Sequence, residues 1–162
     1  MNLANKLIGM GLRAELATLL VSMVPVIELR GAIPVGAGLG LPVLRAALIS
    51  IVGNLIPVPF ILLFIRPVFG WMRRKSARLG RWVDKLETRA ERKSDKVRKG
   101  EFWGLLFFVA IPLPGTGAWT GALIASMLNM RLKNALPPIF CGVVAAGALV
   151  SLATAGVIQL LV

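Results

Sequence analysis

Charged residues cut this chain into long apolar stretches. None interrupts Leu16 to Ile27, Gly31 to Leu44, Ala46 to Ile65, Phe102 to Met130 or Asn134 to Val162, runs of 12, 14, 20, 29 and 29 residues. Runs of about 18 or more read as helices that cross a bilayer. With 162 residues, 57% of them hydrophobic, and a mean hydropathy of +0.80, the chain is one domain's worth of integral membrane protein.

Proline and glycine break these stretches in a repeating order. "LLVSMVPVIELRGAIPVGAGLGLPVLRAALISIVGN" is a broken apolar stretch followed by an unbroken one, and "LLFFVAIPLPGTGAWTGALIASMLNMRLKNALPPIFCG" has the same order. Setting Pro25 against Pro112 lays Glu28-Leu-Arg-Gly on Gly115-Thr-Gly-Ala. One residue of slack pairs Arg45 with Lys133, and one more pairs Gly53 with Gly142, a weak internal repeat.

As helices, Leu16 to Ile27 and Gly31 to Leu44 would reach only about 18 Å and about 21 Å, against roughly 30 Å of hydrocarbon. The expected fold is therefore an all-α integral membrane protein of two inverted repeats, each a re-entrant helical hairpin plus one transmembrane helix. The first repeat covers residues 1–70, with a hairpin over 15–42 and a span over 43–66. Residues 71–101 form a basic cytoplasmic helical loop. The second repeat covers 102–162, with a hairpin over 102–130 and a span over 134–161. The hairpin tips fall at Pro25 to Pro34 and Pro112 to Trp119. A hairpin returns to its own side and a span changes sides, so the first hairpin enters from outside and the second from inside, the arrangement of many secondary transporters. The alternative is five or six short spans in which the prolines and glycines are kinks.

The net charge of +12 does not indicate nucleic-acid binding, because 12 of the 19 Lys and Arg lie between Arg73 and Lys99. Mixed with Asp84, Glu87, Glu91 and Asp95, they read as a solvated helix, with Asp95 four residues before Lys99 and Glu91 and Lys96 in the same stretch. A short loop rich in Lys and Arg stays in the cytoplasm and is drawn to anionic headgroups, and Trp71, Trp82 and Trp103 favour the interface. The chain has no histidine and one cysteine, Cys141, expected to be a small packing residue. That composition offers no zinc or haem site, no intrachain disulfide and no parts for nucleophilic catalysis, so neither a cofactor nor an enzyme is expected. Lys6 and Arg13 precede an apolar run, but no small-x-small cleavage site follows it, and the segment reads as mature sequence. Glu15, beside Arg13, reads as a surface residue.

Against this background "VIELRGAIP" stands out. Glu28 is the one acid deep in the apolar stretches, and an ionisable group within a bilayer costs a few kcal/mol at least. Such a group faces a partner, a cavity or a permeant. Arg30 is two residues away, and Gly31 and Pro34 favour a bend. Two readings stay open: a substrate or proton site, or an ion pair bracing the hairpin. At the other tip Pro112, Pro114, Gly115, Thr116, Gly117 and Trp119 supply unwound backbone of the kind that binds ligands. Asn54, in "VGNLIPVP", is the remaining polar group at membrane depth, read as a member of the site or as an interhelical hydrogen-bonding group.

"ELRGAIP" followed by "GN", with "PLPGTGAWTGALIA" in the second half, resembles the small multidrug export protein family, which is similar to the DedA or VTT membrane proteins. The resemblance covers most of the chain except the basic loop. It implies two facing re-entrant hairpins and a substrate site on the matching residues, Glu28, Arg30, Gly31, Pro34, Pro112, Pro114, Gly115, Thr116, Gly117 and Trp119. DedA-type proteins are implicated in moving lipid carriers such as undecaprenyl phosphate and in proton-dependent resistance to drugs and cationic peptides. The expected function is export of an amphiphile, a drug-like molecule or a phosphate-headed lipid, across the cytoplasmic membrane; the alternative is a lipid-binding biogenesis factor that transports nothing. The second hairpin departs from the DedA pattern, having no charge between Phe102 and Met130. Glu28 is thus the sole proton-coupling candidate and Arg30 the natural phosphate partner. The expected partners are membrane lipids and a second copy of the chain, since so small a bundle would pair to enclose a pathway.

Overall fold

The computed structural model describes residues 3–98, 100–113 and 115–161, and every regular element among them is helical. Candidate residue Pro114 lies outside them, as do the side chains of Glu91, Asp95, Lys96 and Lys99. The helices are α1 (Leu3–Met23), α2 (Glu28–Gly38), α3 (Val43–Leu55), α4 (Pro57–Lys75), α5 (Ala77–Arg98), α6 (Glu101–Ala110), α7 (Ala118–Met127) and α8 (Leu132–Leu161). Two runs are long and apolar enough to cross a membrane, Val43–Lys75 and Leu132–Leu160, and most of each lies exposed on the protein. An apolar surface of that size, carrying Leu44, Leu48, Phe60 and Phe64 on one run and Leu149, Leu152 and Val157 on the other, suits lipid rather than water.

Two helices outrun the sequence expectation. α1 starts at Leu3, well before residue 15, and the first long run continues past residue 66 to Lys75. Counting uncharged residues stops at Arg13 and Arg66, but Lys, Arg and Glu are good helix formers and a helix does not stop there. By contrast α2, α6 and α7, at 11, 10 and 10 residues, are only about 15–17 Å long and cannot span a bilayer as single helices.

The chain forms two compact units. The first holds the chain up to Ile56 together with Val143 onward; the second holds Pro57–Gly142. In the first unit α1, α2 and α3 pack on one another through small side chains. A Cβ on Gly36 would stand 2.7 Å from Thr18 Oγ1 and 2.9 Å from the Ala46 Cβ, so these helices meet almost backbone to backbone. Thr18 and Ser22 are buried and donate their hydroxyls to carbonyls of their own helix, Ala14 O and Leu19 O, each at 2.7 Å. Ala14, Leu41, Ala46 and Ile49 close the base of the bundle, where Glu15 pairs with Arg45 at 2.6 Å rather than standing free on the surface. Gly147 of α8 packs on Ile51.

In the second unit α5 folds back against α4 after Ser76. Its inner face buries Gly80 and Val83, and Arg73 donates to Asp84 at 2.8 Å and to Glu87. Arg66 caps α7 from the side: its guanidinium donates to Asn129 Oδ1 and, at 3.1 Å, to the Met127 carbonyl, a favourable place for a cation at a helix C-terminus. α6 packs on α7 and α8 through Gly121 and Gly142, which meet Val109. Cys141, expected as a packing residue, is exposed on α8. Its neighbour Gly142 takes the inward position instead.

A capping pattern recurs in the two units. α2 ends with Leu41 N–H donating to Gly36 O at 3.0 Å and Gly40 N–H to Ala37 O, with Gly40 at φ +89°. α7 ends with Met130 N–H donating to Ala125 O at 3.0 Å and Asn129 N–H to Ser126 O, with Asn129 at φ +58°. Both are left-handed caps of the Schellman kind. The same spacing along the chain relates Ala46 N–H to Pro42 O and Ala135 N–H to Arg131 O, and relates Gly53 to Gly142. It sets Arg45 opposite Asn134, one residue from the Lys133 of the sequence alignment. A gap in that alignment belongs in the tips, where the loop lengths differ, rather than in the helices that follow.

Candidate functional site

Two β-branched residues bracket a proline at the first tip, and the backbone has to leave the helix there. α1 stops at Met23, Val24 N–H donates to Val21 O at 3.1 Å, and Glu28 N–H donates to Val24 O at 3.0 Å. Val26 at φ +78° and Glu28 at φ +51° both sit in the left-handed region. That is uncommon for any residue with a Cβ and a genuine outlier for valine, a strain of the kind that collects at functional sites. Val26 is 92% exposed, so no packing of its side chain compensates for it.

Glu28 opens α2 and is buried, 3% exposed, while Arg30 is half-buried. The two charges lie close enough to act on each other. A Cβ on Gly31 would stand 2.5 Å from the Ile27 Cγ2 methyl, so a larger residue there has to turn that side chain aside. Pro34 stands inside α2, where its ring has no N–H to give to the helix. A carboxylate and a guanidinium therefore lie within one helical turn.

Asn54 sits in the last turn of α3, wholly buried. Neither its amide nitrogen nor its amide oxygen has a protein hydrogen-bond partner, and the same holds for the buried Ser50 hydroxyl one turn earlier. α2 and α3 are joined by residues 39–42 and run antiparallel. From the contact of Gly36 with Ala46, one turn along each helix brings Ala32 level with Ser50, and a second brings Glu28 level with Asn54. The first unit thus gathers Glu28, Arg30, Gly31, Pro34 and Asn54 around one hairpin. Ser50 went unnoticed in the sequence because a lone serine in "ALISIVGN" carries no pattern; its spacing of four from Asn54 was the available signal.

The second tip is built differently. After α6 the chain is extended at Ile111, and the Thr116 hydroxyl lies 2.8 Å from both Ile111 O and Leu113 O, stapling the loop to itself. Gly115 at φ +75° and Gly117 at φ +131° supply conformations that L side chains avoid. Gly117 is buried at the N-cap of α7, which has no side-chain cap, and Trp119 is half-buried in the first turn. Pro112 and Gly115 are exposed. The first tip belongs to the first unit and the Pro112 to Trp119 loop to the second. Arg66, which holds the far end of α7, was missed in the sequence because it only marks the end of an apolar run. Among the described residues no group of three or more Asp, Glu, Cys or His could hold a metal ion.

The family model described as "Putative small multi-drug export protein" matches residues 28–149 of this chain, about three quarters of its length. No curated protein and no solved structure matches it.

Proposed function

Because the chain belongs to that small multi-drug export family, which points to a membrane transporter rather than an enzyme, we propose that it exports an amphiphile through a site at the first hairpin tip. Glu28 binds a proton in exchange for substrate, coupling export to proton entry, and Arg30 grips an anionic head such as a lipid phosphate. The observation that carries this reading is a buried carboxylate on a strained, left-handed turn beside a cation, in a hairpin whose second arm is too short to cross a bilayer. A brace alone would not call for backbone strain at that point.

In the full reading both broken segments are re-entrant and the two repeats are inverted as in DedA proteins of the cytoplasmic membrane. The recurring caps of α2 and α7, and the matching contacts of Gly53 and Gly142, support a repeat of that kind. The shortness of α6 and α7 supports re-entry of the second hairpin. Asn54 completes the first tip, the Pro112 to Trp119 loop supplies the second, lipids surround the spans, and two copies of the chain enclose the pathway.

Proteoliposomes carrying the purified protein test this with a fluorescent polyprenyl phosphate, a fluorescent phospholipid and a lipophilic cation, with and without a proton gradient. Movement of a probe, lost in Glu28→Gln and Arg30→Ala while both variants keep the parental melting temperature, is the expected result. Folded protein that moves none of the probes would instead favour a lipid-binding biogenesis role.

A further inference from the structure

The first unit contains more buried hydrogen-bonding capacity than its own side chains use. On α3, Ser50 and Asn54 are wholly buried, one turn apart, and three of their polar atoms meet no protein partner. An orphaned polar group in an apolar interior is costly, and more than one is orphaned here. Immobilising a single ordered water costs less than leaving several such groups unsatisfied, so hydrating the pair is the cheaper state. On a helix the Cβ atoms of residues four apart are about 5–6 Å apart, a gap one water bridges with ordinary hydrogen bonds. Buried waters typically make about three bonds, and the group level with Asn54 on the facing helix is Glu28.

We infer that Ser50, Asn54 and the Glu28 carboxyl form a buried water site on the inner face of the α2–α3 pair. The water accepts from both the Asn54 amide and the Ser50 hydroxyl and donates to the Glu28 carboxyl, which offers about four lone-pair positions and so keeps its other contacts. A cation does not suit the place, since Glu28 is the one carboxylate at this level and Arg30 already acts on it. A larger ligand does not suit it either, because the gap is set by one helical turn. Of the other charges on the packed elements, Arg13 and Glu15 on α1 and Arg45 on α3 lie toward the opposite end of the bundle, Lys6 lies earlier still on α1, and the stretch of α8 in this unit carries none. The water is therefore a proton-conducting neighbour of Glu28, which the permanently protonated Arg30 guanidinium cannot be, and the Ser50 face gives it a direction of approach. Glu28's role in proton exchange rests on the proposed function; the water site is read by a measurement in which nothing is transported.

The measurement is infrared spectroscopy of the full-length protein in lipid nanodiscs, acidified until Glu28 is protonated. Its carboxyl C=O stretch is identified by loss of the band in Glu28→Gln, and its proton exchange is followed after a switch to D2O. Ser50→Ala and Asn54→Leu are expected to move the band to higher frequency, as a hydrogen bond is lost. Exchange should slow about tenfold, the factor that accompanies loss of one ordinary hydrogen bond. Should Asn54→Leu fail to fold, Ser50→Ala decides alone, since it removes one oxygen and adds no volume. A parental band with parental exchange in Ser50→Ala overturns the site. A shifted band in a protein that transports nothing leaves the water site standing and removes the transport reading; an unmoved band in an active transporter does the reverse.

Discussion

Val26 is the residue whose conformation is hardest to explain by folding alone. A valine at φ +78° pays a steric cost that glycine would not, and its side chain, almost fully exposed, gains nothing within the chain. Val26→Gly should stabilise the protein by about 1 kcal/mol, the relief of left-handed strain less the added freedom of glycine in the unfolded chain. A rise in melting temperature in detergent would show it, and an unchanged or lower one would mean that the turn is held by something the side chain touches in the membrane. At this scale the sequence was informative about charge and silent about pairing. Glu28 and Arg30 announce themselves because ions are scarce in apolar runs. Ser50 and Arg66 do not, since a serine and a terminal arginine are common in membrane helices: what matters is that Ser50 is buried without a protein partner and that Arg66 meets Asn129 and Met127, neither of which the sequence shows.

Among the elements, the close crossings matter most. Gly53 lies against the Leu19 carbonyl and Ser22, and Gly142 against the Leu106 carbonyl and Val109. A Cβ on either glycine would come within 2.8 Å of a main-chain oxygen, which cannot rotate away as a side chain can. Gly53→Ala and Gly142→Ala should each cost about 1–3 kcal/mol, the range for overpacking a tight contact, and thermal denaturation of the two variants would read it. Equal losses are expected from equivalent crossings. Gly38→Ala is the control, because no atom lies within 4 Å of a Cβ built there. The sequence alignment had already paired Gly53 with Gly142 from spacing alone. It could not say what the glycines touch, and it spread the slack along the helices because Arg45 and Lys133 looked alike. The charge-laced stretch after Lys75 was legible as a helix, whereas the first turns of α1 were hidden by their lysine and arginine.

For the whole chain, the open choice is between re-entrant hairpins and short full spans, and the first tip decides it. With Cys141 replaced by serine, Val26→Cys is the only thiol. A re-entrant tip keeps it out of reach of a charged maleimide from either side. A full crossing brings it to the cytoplasmic face, where labelling appears once cells are opened. No labelling in either condition is expected, with Thr88→Cys on the exposed face of α5 as the positive control that reacts only after lysis. Counting apolar residues could find the two long runs, but not how deep each broken segment goes, since a re-entrant hairpin and a pair of short spans both return the chain to the face it left.

The unaltered chain also carries its own reporter. Its single thiol stands exposed on α8, with the small Gly142 beside it turned inward. One spin label per chain can therefore be attached without any mutation. Double electron–electron resonance on such a sample yields a distance only when two chains associate, so the stoichiometry of the working particle can be read from native protein.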